Sequence, residues 1–305
     1  MKDTSELKGK KILVVALAKT GVALSHFLVK QGANVTVSDH KSKAELINHL
    51  DEMADIEVTY ELGGHTPKTF LQQDLIILSP GISPQLKLFE YARSHGVKVT
   101  GEFEFCSQYI DKPIISVTGT NGKSTICQLC DLFLRESGKK TWIGGNYGGE
   151  PISNYLLGPQ DADVLICEVS SFMLEHAETF SPLNIVFSNL AQNHLDRYRN
   201  MEEYVNAKRK IFLNTNHTTT SILNADDNAV VELARDPAVQ RGRIFYFSRK
   251  QSLEPQIMNI GGAVAIGNKL HVRTGPEIEY FDIKDMKMRG THSVENIMAA
   301  LLVAR

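Results

Sequence analysis

A chain of 305 residues is long enough for two ordinary domains with their own cores, and 42% apolar with 22% charged content is typical of a soluble globular protein. The formal net charge of −2 offers no basic field to a polyanion, which argues against nucleic acid as a partner. No stretch nears the ~18 consecutive apolar residues of a membrane span, and four cysteines fit a reducing cytoplasm, the expected location.

The opening "MKDTSELKGKKILVVALAKTG" places lysines before an apolar run, as a signal peptide does. The run is short and β-branched and no small-residue cleavage site closes it, so it reads as a first buried strand. Short β-rich runs then alternate with helical stretches. The strand candidates are "KILVVAL" (11–17), "NVTVSD" (34–39), "EVTY" (57–60), "DLIILS" (74–79) and "VKVT" (97–100), with helical periodicity in 21–31, 42–53 and 85–95. Strands separated by helices imply right-handed βαβ units and a parallel sheet. Pro113 precedes a fresh buried strand, so a domain boundary is expected near residue 111, giving domains 1–111 and 112–305.

After the first strand, "ALAKTG" occupies the place of a dinucleotide-binding G-x-G-x-x-G. Ala16 and Ala18 stand at the first two glycine positions and only Gly21 remains, which argues against NAD because each added Cβ obstructs a pyrophosphate. The helix N-terminus still favours an anion. Asp39 ends the second strand where such folds set an acid against a ribose; it reads equally as a surface acid.

In the second domain the strand candidates are "PIISVTG", "DVLICEVS", "NIVFSNL", "TTSILNA" and "RIFYFS", followed by an antiparallel hairpin around "GNK" (267–269). "SVTGTNGKST" (116–125) follows a buried strand and opens a helix, the context a phosphate loop needs, although Val117 replaces the first glycine of G-x-x-x-x-G-K-[ST]. Gly119 and Gly122 let the backbone N–H groups of Thr120 and Asn121 turn toward a phosphate. Lys123 supplies a compact cation, and the Ser124 or Thr125 hydroxyl can reach Mg²⁺. The loop is therefore expected to hold the phosphates of a nucleoside triphosphate. Glu168 ends an apolar strand of the same sheet, where either a Mg²⁺ ligand or an ordinary strand-end acid belongs. "NHLDRY" (193–198) gathers His, Asp and Arg at another strand's carboxyl end, the ligand-binding edge of open α/β sheets. Cys127 and Cys130 form a C-x-x-C on one helix without a second ligand pair, which reads as packing. Lys208 by itself reads as a solvated helical lysine. Val294, Ile297, Met298, Leu301 and Leu302 form one helical face, with no stop signal before Arg305. The expected class is α/β: a Rossmann-like parallel-sheet N-terminal domain plus a P-loop-type α/β ATPase central domain with a small antiparallel β element.

Taken together, "SPGI" (79–82), "TGTNGKST", "GGNYG" (144–148), "EVSSF" (168–172), "NHLDRY", "AKRKIF" (207–212), "LNADD" (223–227) and "GTHSVEN" (290–296) resemble the Mur ligases of peptidoglycan synthesis, nearest to the D-glutamate-adding branch. The resemblance implies a monomeric ATP-dependent amide ligase acting on UDP-N-acetylmuramoyl-L-alanine and D-glutamate. Lys19 and Thr20 would then lie at the diphosphate, with Asp39 at the uridine end and Ser79 nearby. Lys123, Ser124 and Glu168 would serve ATP and its Mg²⁺, and Asn146 and His194 the muramoyl-alanine and a second Mg²⁺. Lys208 would be the family's carbamylated lysine, and Asn296 would face adenine. Ser293 departs from the family's G-x-H-N-x-x-N pattern. The family's C-terminal domain is expected to be absent, leaving a chain that binds substrates without completing the reaction. A sister ligase of the Mur or folylpolyglutamate type and a non-catalytic UDP-sugar or ATP-binding module remain as alternatives.

Overall fold

The computed structural model describes residues 2–83, 86–192, 197–284 and 291–305. The first unit begins with β1 (Lys11–Val15), α1 (Lys19–Lys30), β2 (Asn34–Asp39), α2 (Ile47–Asp51), β3 (Thr59–Leu62), α3 (Pro67–Leu71), β4 (Leu75–Leu78), α4 (Lys87–Ser94), β5 (Lys98–Gly101) and α5 (Glu102–Ser107). All five strands pair in parallel in the order β3-β2-β1-β4-β5. The β-branched and leucine-rich runs seen in the sequence become β1 and β4, buried along almost their whole length because helices cover both faces of a parallel sheet. Leu13, Val15, Phe70, Ile76, Leu78 and Phe89 form the core on one face. The strand order reverses between β1 and β4, which opens a crevice at their carboxyl ends.

The chain continues through β6 (Ile114–Thr118), α6 (Lys123–Glu136), β7 (Thr141–Gly145), α7 (Ile152–Leu157), β8 (Val164–Glu168), α8 (Ser171–Leu174), β9 (Asn184–Phe187) and α9 (Met201–Arg209). It then forms β10 (Thr220–Asn224), α10 (Asn228–Leu233), β11 (Arg243–Ser248), α11 (Glu254–Ile260), β12 (Gly262–Ile266), β13 (Lys269–Arg273), β14 (Glu279–Asp282) and α12 (Thr291–Ala304). Nine strands make one mixed sheet, β14-β13-β12-β11-β10-β9-β6-β8-β7, parallel from β7 to β12 and antiparallel through β13 and β14. The hairpin turns at Gly267 and Asn268, and β14 adds a third strand to it. Strand β7, "TWIGG", carries two glycines and lacks a β-branched run, which is why its sequence does not announce it.

α6 and α12 pack together on one face of this sheet. Ile297, Met298 and Leu302 enter the core with Cys127 and Cys130, all at most 4% exposed, so the C-x-x-C is a packing feature whose burial pushes both thiols upward in pKa.

The chain divides into two compact units after Asp111, but Gly148–Asp161 and Phe172–Thr179 fold with the first. Two buried carboxylates of α5 tie these segments down. Glu104 accepts from the Thr179 and Glu178 amides at 2.9 and 3.1 Å, and Glu102 accepts from the Ser153 amide at 2.8 Å. Burial raises Glu102 to about 7.

Ala16, between β1 and α1, has φ +74°, the left-handed region. An alanine there costs about 1–2 kcal/mol, while a glycine would give back roughly 0.5–1 kcal/mol through its freer unfolded chain. Ala16→Gly is therefore expected to stabilise the first unit by about 0.5–1 kcal/mol, read as a higher denaturant midpoint at unchanged slope.

Candidate functional site

The turn from β6 into α6 is made by Gly119 and Gly122, with φ +134° and +84°. A Cβ on Gly119 would lie 2.0 Å from Ser188 Oγ, and one on Gly122 would lie 2.6 Å from Asn296 Oδ1. Both positions thus exclude any side chain on conformational and on steric grounds. Val117 lies within β6 and is fully buried, so the departure from the phosphate-loop template falls on the strand and leaves the turn intact.

Lys123 opens α6 and its Nζ donates to Thr120 O at 2.8 Å. Ser124 Oγ donates to Glu168 Oε2 at 2.6 Å, and Asn146 Nδ2 donates to Glu168 Oε1 at 2.8 Å. Glu168, at the end of β8, is buried, and its own carbonyl accepts from the Asn146 amide at 2.8 Å. The acid is thereby aimed at the head of α6, where free N–H groups and the helix dipole also favour negative charge. Thr125 makes no side-chain hydrogen bond among the described residues.

The exit of β9 pins the loop from the other side, which the sequence did not indicate. Asn189 O accepts from the Thr120 amide at 2.9 Å, and its Oδ1 accepts from the Asn121 amide at 2.8 Å. Ser188 Oγ and Asn189 Nδ2 donate to Asn121 O at 2.7 and 3.0 Å. Thr120 Oγ1 lies 3.2 Å from Tyr204 Oη and accepts from the Ala191 amide at 2.9 Å. The Thr120 and Asn121 amides are thus committed to the protein, which leaves the first amides of α6 as the turn's backbone donors.

Lys208 corrects the reading of a solvated helical lysine. It is 2% exposed, lies beneath the loop, and donates to Gly119 O at 2.9 Å and Thr118 Oγ1 at 3.3 Å. Its Nζ sits 5.1 Å from the Tyr204 ring centroid. Burial, and then the Lys123 cation, lower its pKa to about 7 against the opposing pull of Glu168. Burial also lowers Lys123.

In "LNADD", Asp227 caps α10 and accepts from the Leu190 amide at 2.8 Å, while Asp226 accepts from Ser248 Oγ at 2.6 Å. Glu295 of α12 pairs with Arg249 Nε at 2.6 Å. Asn296 lies on Gly122, so α12 reaches the loop. His194 falls outside the described residues.

In the first unit, Asp39 Oδ2 accepts from the Leu17 amide at 2.7 Å and Oδ1 from the Lys41 amide at 2.8 Å. Ser79 Oγ donates to Ala16 O at 3.1 Å. Both side chains hold the β1–α1 turn at the crevice, where Lys19 is exposed and Thr20 half-buried. Ala16 adopts the left-handed backbone that a glycine accepts without strain. Gly21 must stay small, since a Cβ there would lie 2.3 Å from Ala16 O.

The folded Lys208 releases its proton near pH 7, whereas an unfolded lysine holds it to about 10.5. Native stability therefore rises with pH through that window, because the unfolded chain binds more protons. Lys208→Met is expected to be more stable than the parent below pH 7. That gain should shrink by up to roughly 1.4 kcal/mol per pH unit toward pH 10. Urea unfolding at pH 6, 8 and 9.5 checks this, and a pH-independent difference would contradict it.

Residues 117–304 match the family described as Mur ligase middle domain, and residues 10–101 match the one described as Mur ligase MurD-like, N-terminal domain. The UDP-N-acetylmuramoylalanine–D-glutamate ligase of Bdellovibrio bacteriovorus is 67% identical over 304 residues, covering 100% of this chain and 66% of the relative. The enzyme of the same name from a Geobacter species is 40% identical over 97% of this chain and 63% of its own length. The chain thus spans just under two thirds of these relatives. Among solved structures, the UDP-N-acetylmuramate:L-alanyl-gamma-D-glutamyl-meso-diaminopimelate ligase from Neisseria meningitides aligns with TM-score 0.61 and 12% identity, covering 97% of this chain and 93% of that one. The UDP-N-acetylmuramate-alanine ligase of Thermotoga maritima aligns with TM-score 0.52 and 19% identity, covering 96% and 64%. These two show the α/β fold; the family models, matched over residues 10–101 and 117–304, show that the chain belongs to the Mur ligase family.

Proposed function

We propose that this chain carries the sugar-nucleotide and ATP sites of an ATP-dependent amide ligase that adds D-glutamate to UDP-N-acetylmuramoyl-L-alanine in peptidoglycan precursor synthesis. The observation that carries the reading is the head of α6. A glycine turn, the Lys123 cation and the Ser124–Glu168 pair meet there, and a relative 67% identical bears this ligase's name.

A carboxylate does not acylate an amine in water, because its oxygen is a poor leaving group. Moving the γ-phosphoryl of ATP onto the alanyl carboxylate supplies a better one, and the D-glutamate amine then displaces phosphate. The task left to the protein is to bring two anions together. Lys123, now resting on Thr120 O, is placed to swing onto a β- or γ-phosphate, and the first amides of α6 face the same group. The oxygens of Glu168 and Ser124 suit a hard divalent cation at that point, and Mg²⁺ would supply charge neutralisation there. Among the described residues no group of three or more His, Cys, Asp or Glu side chains assembles a metal site, so phosphate oxygens would complete the coordination. A lysine with a pKa of about 7 has a substantial neutral fraction at neutral pH, which is what addition of CO₂ requires. Carbamylated Lys208 would place a negative group under the loop. The first unit's crevice, bounded by the β1–α1 turn, Asp39 and Ser79, would take the uridine diphosphate.

Calorimetric titration of the 305-residue chain with UDP-N-acetylmuramoyl-L-alanine is expected to give a micromolar Kd, about −8 kcal/mol, while the chain alone forms no amide. Absence of binding heat, or product from this chain, would overturn the respective half of the reading. Lys123→Ala is expected to weaken Mg-ATP binding by at least about tenfold, the loss of one charge-assisted contact, with binding of the uridine ligand unchanged.

A further inference from the structure

Among the described residues, β7 is the outermost strand of its end of the nine-stranded sheet and pairs with β8 alone, Gly144 opposite Cys167 and Gly145 opposite Glu168. Two consecutive glycines at the end of an edge strand leave that end free to move, because neither has a Cβ to restrict its dihedrals or to pack on a neighbour. The residue that follows them is nevertheless held in place. Asn146 Nδ2 donates to Glu168 Oε1 at 2.8 Å, its amide donates to Glu168 O at 2.8 Å, and the Ser124 hydroxyl occupies Glu168 Oε2.

Each glycine is restrained in its own way. Gly145 has φ +80°, and a Cβ there would lie 2.5 Å from Glu168 O, so its bare backbone closes directly on β8. Gly144 is covered by Trp142, the chain's one tryptophan, which stands two residues back and on the same face of the strand. A Cβ on Gly144 would overlap the six-membered ring of the indole, 2.7 Å from Cζ3 and 2.8 Å from Cζ2. The indole thus rests on the Gly144 backbone itself. An aromatic ring laid over an edge-strand glycine supplies the packing that the missing side chain would have given.

We propose that Trp142 is a positioning residue for the Glu168 carboxylate: its indole, laid over Gly144, fixes the end of β7 so that Asn146 keeps its hold on Oε1. A carboxylate that ligates a cation is oriented by the hydrogen bonds on its far side, and losing such a partner costs about 10–100-fold in metal affinity. Trp142 acts on the aim of the acid and not on its charge. The proposal rests on the reading of Glu168 and Ser124 as the holders of the divalent cation of ATP, and adds to it the side chain that keeps the acid in place.

The test is calorimetric titration of the 305-residue chain with ATP at graded Mg²⁺ concentrations and in a chelator. Trp142→Ala is expected to raise the Mg²⁺ concentration for half-maximal ATP binding by about tenfold, with binding of metal-free ATP unchanged. Asn146→Ala should give a similar rise, and the double variant no more than either alone, because both remove one contact. Gly144→Ala keeps the tryptophan but pushes the indole off the strand. It is expected to raise the Mg²⁺ requirement likewise and to move tryptophan emission to longer wavelength as the ring enters water. Trp142→Phe keeps a ring near Gly144 and should retain most of the affinity. These last two variants carry the test if Trp142→Ala does not fold. An unchanged Mg²⁺ requirement in Trp142→Ala or Gly144→Ala, an equal loss with and without Mg²⁺, or an additive double variant overturns the role of Trp142 and leaves the ATP reading standing. If the parent chain binds ATP no better with Mg²⁺ than without, the cation reading itself falls, and this proposal with it.

Discussion

The turn between β6 and α6 can exist only because Gly119 and Gly122 present bare backbone to their neighbours. Ser188 at the exit of β9 and Asn296 on α12 approach so closely that a single methyl group at either glycine would overlap them. That close approach sets the head of α6 against Glu168 on one side and Asn189 on the other. The free amides of α6, Lys123 and Glu168 converge for this reason, and any anion drawn by the helix terminus meets both a cation and a buried carboxylate.

Beneath the turn the electrostatics are unbalanced in a way that suits chemistry better than stability. Two lysines share one carboxylate, and Lys208 has almost no access to water. A buried ammonium without a dedicated counter-ion shifts its pKa until it can shed the proton. The contact from Lys208 to Gly119 O meanwhile supports the loop from below, so the same side chain holds the turn and stands ready as a neutral amine. Perturbed groups of this kind gather at functional sites more than elsewhere.

The first unit solves its turn differently. Ala16 holds a left-handed conformation against its intrinsic preference, and the surrounding bonds over-determine it: the Ala16 amide donates to Ser38 O, Ser79 Oγ donates to Ala16 O, and Asp39 takes the next amide. An alanine can hold this turn because the strand ends supply the constraint. Buried Glu102 and Glu104 play a comparable part for the segments that return to this unit from the second half of the chain.

Much of the architecture was legible in residue order. Each long β-branched run became a strand, the βα alternation produced parallel sheets, and the glycine-lysine-serine turn fell between a buried strand and a helix, because short-range sterics and period-2 or period-3.6 burial act on neighbours in sequence. Strand β7, the third strand of the hairpin and the return of Gly148–Asp161 and Phe172–Thr179 to the first unit were not legible, since each depends on partners far along the chain. The residues Lys123, Ser124 and Glu168 could be named from motifs. The loss of solvent around Lys208 and the grip of Asn189 on the loop amides could not, because desolvation and hydrogen-bond direction are properties of the packed neighbourhood and not of the residue type.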